Sequence, residues 1–424
     1  MRRHSGPVSA MTTTPLCRFC GANLDHIVLD LGEQPLANSF LKESDLARAE
    51  PKFRLRVRVC DNCLLVQTDT VVPPETIFSD YVYFSSYSNA WLAHAKAYSE
   101  AMIARFALGP QSRVVEVASN DGYLLKNFVA RGIPCLGIEP AENVAEVARA
   151  AGVPTDAIFL GEETARQTAA KFGAANLVAA NNVLAHVPNI NDFVAGLREL
   201  LAPDGVLTIE APHLLRLIQD VQFDTIYHEH FFYFSLAAIE RVFAAHGLRA
   251  FDVERLSTHG GSLRIFAERA DNRTPRGESD ALRQLRAAER DAGVQRKDYY
   301  DGFTRRVAAT IESVRAFLKQ AHAEAKTIVA YGAAAKGNTL LNACGATRAD
   351  IAYAVDRNPH KQGLFLPGTH LPVYAPEKIA ETRPDYVLIL PWNLKEEIVQ
   401  QLKPIAAWGG KFAVPIPELS VFVA

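Results

Sequence analysis

The sequence predicts an α/β protein. A doubly wound sheet is flanked by an N-terminal metal-binding domain and a smaller Rossmann-like C-terminal α/β domain. Three observations carry this. Four of the six cysteines form two Cys-x-x-Cys pairs, Cys17/Cys20 and Cys60/Cys63. Strand and helix patterns alternate from about residue 113 and close with two consecutive strand patterns. A second strand–loop–helix run begins at Thr327. The expected boundaries are a disordered leader over 1–14, a metal-binding domain over 15–72, the large α/β domain over 73–272, connecting helices over 273–325 and the last domain over 326–424.

The first segment holds the cysteines. The alternation in Phe53–Val59 is strand-like, and the second Cys pair follows it directly. The pairs are separated by 39 residues. Four thiolates from two tight turns build the closed tetrahedral shell of structural zinc; a redox dithiol is the lesser reading. Cys135 and Cys344 stand alone in apolar surroundings and read as core.

An aromatic cluster, Tyr81–Tyr87, precedes an amphipathic helix pattern from Asn89. Arg113–Ala118 then reads as a strand, Ser119–Gly122 as a tight turn and Tyr123–Arg131 as a helix. Pro134–Ile138 is a second strand, ending at Glu139-Pro140, with a helix over 141–151. Asn176–Ala180 and Val206–Glu210 are further strands, the latter after a turn at Pro203-Asp204-Gly205. Helix Leu236–His246 leads to strands Arg249–Arg255 and Ser262–Glu268. Residues 273–325 have helical periodicity, as one long helix or a pair. In the last domain Thr327–Tyr331, Ile351–Val355, Tyr386–Leu390 and Phe412–Val414 read as strands, Gly332–Gly337 as a loop and Asn338–Cys344 as a helix.

Composition narrows the function. The chain has 424 residues, room for about three domains of ~150 each. A net charge of −2 without a long basic block argues against a nucleic-acid partner. No apolar run approaches the ~20 residues of a membrane span. The start, MRRHSGPVSAM, lacks the apolar core of a secretory signal, and Met11 could be an alternative start. A cytoplasmic protein is expected, since paired cysteines in a long chain suit a metal in a reducing compartment.

Two Gly-containing loops carry candidate binding sites. Glu116-Val-Ala-Ser-Asn-Asp-Gly122 ends the first strand of the large domain, and Glu139 ends the second, 17 residues after Gly122. Cofactors of open α/β sheets bind at this crevice, with a strand-two acid on the ribose. One glycine is too few for a pyrophosphate, so a phosphate-free cofactor fits better. S-adenosylmethionine is such a cofactor, and class I methyltransferase folds also close their sheet with a terminal strand pair. Glu139 would bind its ribose, and Asn120 and Gly122 its amino-acid end. Glu116, Ala118 and Asn181 complete the candidate set. The second loop, Gly332–Thr339, opens a helix, and Lys336 adds a positive charge suited to a diphosphate. Asn338 and Thr339 lie in the same motif, and Asp356 ends the next strand, where an acid could reach a ribose. An NAD-dependent dehydrogenase is disfavoured, because the loop lacks Gly-x-Gly-x-x-Gly.

The segment Thr225–Ser235, TIYHEHFFYFS, places His228, Glu229, His230, Tyr227 and Tyr233 among aromatics. Apolar neighbours desolvate titratable groups and move them toward the range of an acid–base catalyst. A metal site, a proton-transfer site and a packed strand are all open on the residues alone. On a strand, Glu229 and His230 would face opposite sides. The His259-Gly-Gly-Ser262 stretch is either a turn or a substrate loop.

The zinc pairs, LDLGEQPLANSFL, EVASNDGYLL, GIEP, NNVLAHVPN, YHEHFFYFS, THGGSLR and YGAAAKGNTLLN together resemble deoxysugar C-methyltransferases, in order and over residues 15–420. Ala118 departs from the glycine such loops often carry. The resemblance implies a class I methyltransferase fold, S-adenosylmethionine and zinc as cofactors, and a dTDP-linked keto-sugar of antibiotic biosynthesis as substrate. It implies His230 as base, with Tyr227, Glu229, His186 and Tyr81 in support. It places the nucleotide sugar between the middle and last domains, with His228, His259, Lys336, Asn338, Thr339 and Asp356 as candidate contacts. It slightly favours a monomer. C3 beside a C4 ketone is the preferred position. C5 methylation, O- or N-methylation of a small molecule, and a zinc-ribbon nucleic-acid module are the alternatives.

Overall fold

The computed structural model describes residues 14–70, 72, 86 and 89–423, and the expectations for the leader, Tyr81 and the aromatic cluster lie outside these except at Ser86. Three sheets organise the described residues. The first has four antiparallel strands in the order His26–Pro35, Lys52–Val59, Val66–Thr68 and Phe232–Tyr233. Its last strand comes from the segment after Tyr-His-Glu-His, so the catalytic candidate segment completes the N-terminal sheet.

The second sheet has seven strands in the order Leu248–Leu256, Ser262–Arg269, Leu201–Pro212, Ala175–Asn181, Val114–Val117, Cys135–Ile138 and Thr155–Asp156. Five run parallel, and the terminal pair is antiparallel, as the alternation predicts. The parallel strands are buried on both faces, which explains their continuous apolar runs. Gly137 lets its strand pass close beneath the first loop, because a side chain there would overlap the Ser119 hydroxyl.

The third sheet orders Val373–Tyr374, Ala354–Val355, Ile328–Tyr331, Tyr386–Ile389, Lys411–Val414 and Ser420–Phe422. Two helices, Asp280–Ala292 and Asp298–Ala323, connect the second and third sheets. Glu289 on the first of them is 1% exposed. It accepts the amides of Leu236 and Ala237 and stands 2.8 Å from His213 Nε2. A carboxylate at a helix N-terminus is favoured by the unpaired amides there, so Glu289 fixes the start of helix Leu236–Ala245.

Several local readings change or narrow. Pro203-Asp204-Gly205 is not a turn between elements; it forms an irregularity inside strand Leu201–Pro212. The helix expected over Tyr123–Arg131 is regular only at Lys126–Val129. The helix expected from Asn338 starts at Ala335, which puts Lys336 in its first turn. Tyr-His-Glu-His is not strand but a β-turn, closed by the His230 amide on the Tyr227 carbonyl at 2.9 Å. No helix of the described residues is long and apolar enough to cross a membrane.

Candidate functional site

The four cysteines converge. Their sulfurs lie within 4.8 Å of one another, with Cys17–Cys63 and Cys20–Cys60 each at 3.5 Å. Tetrahedral zinc at ~2.3 Å per thiolate requires sulfur separations of about 3.8 Å, so the donor set fits zinc. Each pair sits on a knuckle followed by a left-handed residue, Gly21 at φ 74° and Leu64 at φ 64°. Gln67 donates to Cys17 Sγ at 3.1 Å, an outer hydrogen bond of the kind that orients a ligand.

The knuckle also reaches the turn. The Arg18 guanidinium donates to the Phe231 carbonyl at 2.9 Å and lies over the Phe232 ring at 4.8 Å. Phe231, Phe232 and Phe234 are all at most 1% exposed. Each buried phenyl contributes about 1.5–3 kcal/mol, which anchors the strand that carries the turn.

Within the turn, His230 Nδ1 is 2.8 Å from the Thr225 carbonyl and Nε2 is 2.9 Å from the Tyr227 hydroxyl. A carbonyl oxygen only accepts, so Nδ1 holds the proton and Nε2 carries the lone pair. Burial, then the neighbouring His186, push His230 well below the usual histidine range. The ring is therefore neutral at ordinary pH, with Nε2 as its proton-accepting atom. His186 reaches it from the three-residue helix Leu184–His186, with ring centroids 4.7 Å apart, and burial pushes His186 down to about 4.

Glu229 turns the other way. Asn38 Nδ2 donates to both of its oxygens at 2.7 and 2.9 Å, and burial raises its carboxyl to about 7. His228 leaves this group. It is 1% exposed, its Nε2 donates to the Phe53 carbonyl at 3.1 Å, and its ring packs on Phe53. The turn thus separates three adjacent residues: His230 joins His186, Glu229 joins Asn38 and His228 joins the N-terminal sheet.

The first Gly-containing loop is preformed. Ala118, Asn120 and Gly122 all adopt positive φ, at 56°, 50° and 78°. Glu139 accepts the Asn120 amide on Oε2 and the Ala141 amide on Oε1, both at 3.0 Å. Burial raises its carboxyl and that of Glu116, the latter strongly. Around the loop, Ser119 Oγ, Asp121 Oδ1 and Asn181 Oδ1 are buried without a hydrogen-bond partner among the described residues, while Glu116 has Tyr123 as a partner. Buried polar atoms are almost always paired, so a cluster of orphans is able to receive a polar ligand. These groups suit the amino-acid and adenosine parts of S-adenosylmethionine.

Of the C-terminal candidates, Lys336 lies near the Asp224 charge and Asn338 reaches the N-terminal segment, whereas Thr339 and Asp356 bond within their own domain. Lys336 Nζ donates to Asn393 Oδ1 at 2.7 Å and lies 4.7 Å from the Trp392 ring; burial lowers its pKa. Asn338 donates to the Ala37 carbonyl at 2.6 Å, and its Oδ1 is buried without a partner among the described residues. Thr339 bonds within its helix, to the Ala335 carbonyl. Asp356 accepts the amides of Ala333 and Asn358 and so braces the loop. His259 sits at φ 56° against Trp91, and burial pushes it down to about 4. Pro391 packs on Gly332 at the crevice where such sheets hold dinucleotides.

Asn38, Asp224 and Trp392 belong to this region and are absent from the sequence expectations. Asn38 lies inside the LDLGEQPLANSFL motif, which marks the segment but not its role, and Trp392 had a signal only in being an aromatic residue within a loop; their partners lie 191 and 168 positions away.

Comparison with known proteins matches three parts of the chain. Residues 17–78 match a family model described as a candidate zinc binding domain, 91–253 a methyltransferase domain, and 257–417 a C-methyltransferase C-terminal domain. C-methyltransferase NovU from Streptomyces niveus is 37% identical over 410 residues, 96% of this chain and 97% of that relative. Among solved structures, magnesium protoporphyrin IX methyltransferase (ChlM) from Synechocystis, with bound SAH, is 16% identical, at a TM-score of 0.35 over 46% of this chain and 92% of that chain. A SAM-dependent methyltransferase from Anabaena variabilis is 17% identical, at a TM-score of 0.34 over 42% of this chain and 86% of that chain.

Proposed function

The chain belongs to the family of zinc-containing, S-adenosylmethionine-dependent C-methyltransferases, and from that premise we propose that its acceptor is a dTDP-linked keto-deoxysugar. The methylated carbon is C3, beside a C4 ketone, and the product serves antibiotic deoxysugar biosynthesis. The observation that carries this reading is the lone pair on His230 Nε2, fixed by the Thr225 carbonyl on the opposite nitrogen. Carbon is not nucleophilic until a proton leaves it, so a C-methyltransferase needs such a base.

His230 Nε2 removes the hydrogen from the carbon next to the ketone, and the electron pair moves onto the carbonyl oxygen as an enolate. His186, neutral above pH about 4, or Tyr81 donates a hydrogen bond to that oxygen. The Thr225 carbonyl and the Tyr227 oxygen then accept from both nitrogens of the imidazolium. When bound, S-adenosylmethionine would supply the methyl group to the enolate carbon, the broken carbon–sulfur bond leaving its pair on the thioether sulfur of S-adenosylhomocysteine. Glu139 and the Ser119–Gly122 loop would hold that reactant on one side, with His230 on the side of the sugar. Near-attack positioning of this kind contributes roughly 7 kcal/mol or more in favourable cases. Lys336, in the first turn of its helix, would meet the sugar-diphosphate.

The experiment is proton exchange without the methyl donor. Incubated in deuterated water with a dTDP-4-keto-6-deoxy sugar, the enzyme should exchange the hydrogen at C3. Exchange at C5 instead would move the methylation site, and no exchange would remove the enolate mechanism. Lys336→Ala should weaken binding of dTDP and leave S-adenosylmethionine binding unchanged; equal binding of dTDP would remove Lys336 from the substrate site.

A further inference from the structure

The turn that fixes His230 is itself held by the C-terminal domain. Asp224, one residue before Thr225, is 0% exposed. Its Oδ2 accepts the Trp392 indole N–H at 2.8 Å, and its Oδ1 has no hydrogen-bond partner among the described residues. Trp392 follows strand Tyr386–Ile389 of the third sheet, so this bond crosses from one domain to the other. The indole is clamped on two further sides. Lys336 lies over its ring, and Gly260 lies so close that any side chain there would overlap it. The same Gly260 offers its carbonyl to Gln222 Nε2 at 2.7 Å. Gln222 in turn accepts the Thr225 amide and hydroxyl on its own carbonyl, at 3.1 and 2.7 Å. Every contact therefore converges on the short helix Phe223–Thr225, whose last carbonyl receives His230 Nδ1.

Burying a carboxylate is costly, and here the cost is offset by the Trp392 indole, the Lys336 charge and the neighbouring backbone, so the carboxylate ties this helix to the C-terminal domain. We propose that Trp392 and Asp224 are positioning residues for the base: their bond couples seating of the C-terminal domain to the His230 tautomer in which Nε2 carries the lone pair. This inference rests on His230 being the base. The coupling makes the enolate step conditional. If the C-terminal domain is displaced, the Thr225 carbonyl shifts, Nδ1 loses its acceptor and the proton redistributes between the two ring nitrogens. The methyl donor site, built on Glu139 and the Ser119–Gly122 loop, is outside this chain of contacts.

The test reads the tautomer directly, in the full-length zinc-loaded protein without substrate. Long-range proton–nitrogen NMR of protein labelled with 15N-histidine reports which nitrogen of each ring is protonated, and His230→Asn identifies the His230 signals. Wild type should show His230 protonated on Nδ1. Trp392→Phe keeps the ring but loses the donor, and should shift the tautomer ratio by about fivefold or more, the scale of one modest hydrogen bond. Asp224→Ala removes the same bond from the other side and should shift it equally, which covers the case where one variant does not fold. Asp224→Asn retains an amide oxygen acceptor and should restore the wild-type ratio. Calorimetric affinity for S-adenosylmethionine should stay within about twofold throughout, a change too small for a lost hydrogen bond. A wild-type tautomer ratio in folded Trp392→Phe and Asp224→Ala would overturn the coupling, even where His230→Asn abolishes C–H exchange and so upholds the base itself.

Discussion

Tyr227 and His230 face each other across a single β-turn, with the phenol oxygen 2.9 Å from Nε2 and the ring centroids 4.1 Å apart. A base nitrogen that already receives a hydrogen bond is oriented, and the same oxygen can accept once the imidazole is charged. Tyr227→Phe should lower the turnover rate roughly ten- to a hundredfold, within the range that acid–base partners contribute. Affinity for S-adenosylmethionine, measured by calorimetry, should not change. A rate within twofold of wild type would show that the phenol only packs.

Glu229 makes stability depend on pH. Its carboxyl titrates near 7 in the folded chain, because burial opposes ionisation. An unfolded glutamate titrates near ~4.3. Between these values the folded chain binds the extra proton, so stability falls as pH rises from about 4.5 to 7. Glu229→Gln removes that loss. Its melting temperature should gain on wild type as the pH is raised from about 5 to 8, by an amount worth roughly 3 kcal/mol at most. A gap that does not vary with pH would mean that Glu229 ionises normally.

Ala118 holds φ 56°, a left-handed conformation that costs an alanine about 1 kcal/mol. Ala118→Gly should relieve most of this and raise thermal stability slightly, and it should not weaken S-adenosylmethionine binding. A clear loss of stability would show that the methyl group fills space that outweighs the strain. Asn120 and Asn182 share positive φ, but asparagine tolerates it.

Cys60→Ser should reduce metal content from about one zinc per chain to a small fraction, as four thiolates are needed to close the shell. The loss should spread. Cys17 and Arg18 connect the knuckle to Gln67, and Arg18 binds the Phe231 carbonyl beside His230. Limited proteolysis should then cut around residues 225–235 faster than in wild type. An unchanged cleavage pattern in the zinc-free variant would confine the metal to local stability.

Some of this was legible in the chain and some was not. The cysteine spacing pointed to a common metal site because each pair needs only a local turn, and the sulfurs do converge. The strands of the middle sheet were legible because burial on both faces leaves continuous apolar runs. The Tyr-His-Glu-His turn was hidden, since a short aromatic run reads equally well as strand, and only the tertiary pairing of Phe232–Tyr233 with Val66–Gln67 sets its geometry. His228 and His230 looked equivalent for the same reason. The turn sends one to Phe53 and the other to Tyr227. Pro203-Asp204-Gly205 carried every local signal of a turn, yet pairing with the neighbouring strand absorbs it. Asn38, Asp224 and Trp392 act through partners far away in sequence, which no local pattern encodes.

The most direct test of the central claim compares His230→Ala with His228→Ala in the donor-free exchange reaction. If His230 is the base, His230→Ala should slow hydrogen exchange beside the ketone by about a hundredfold or more, while His228→Ala, if it folds, stays near wild type. Wild-type exchange in a folded His230→Ala protein would contradict the account.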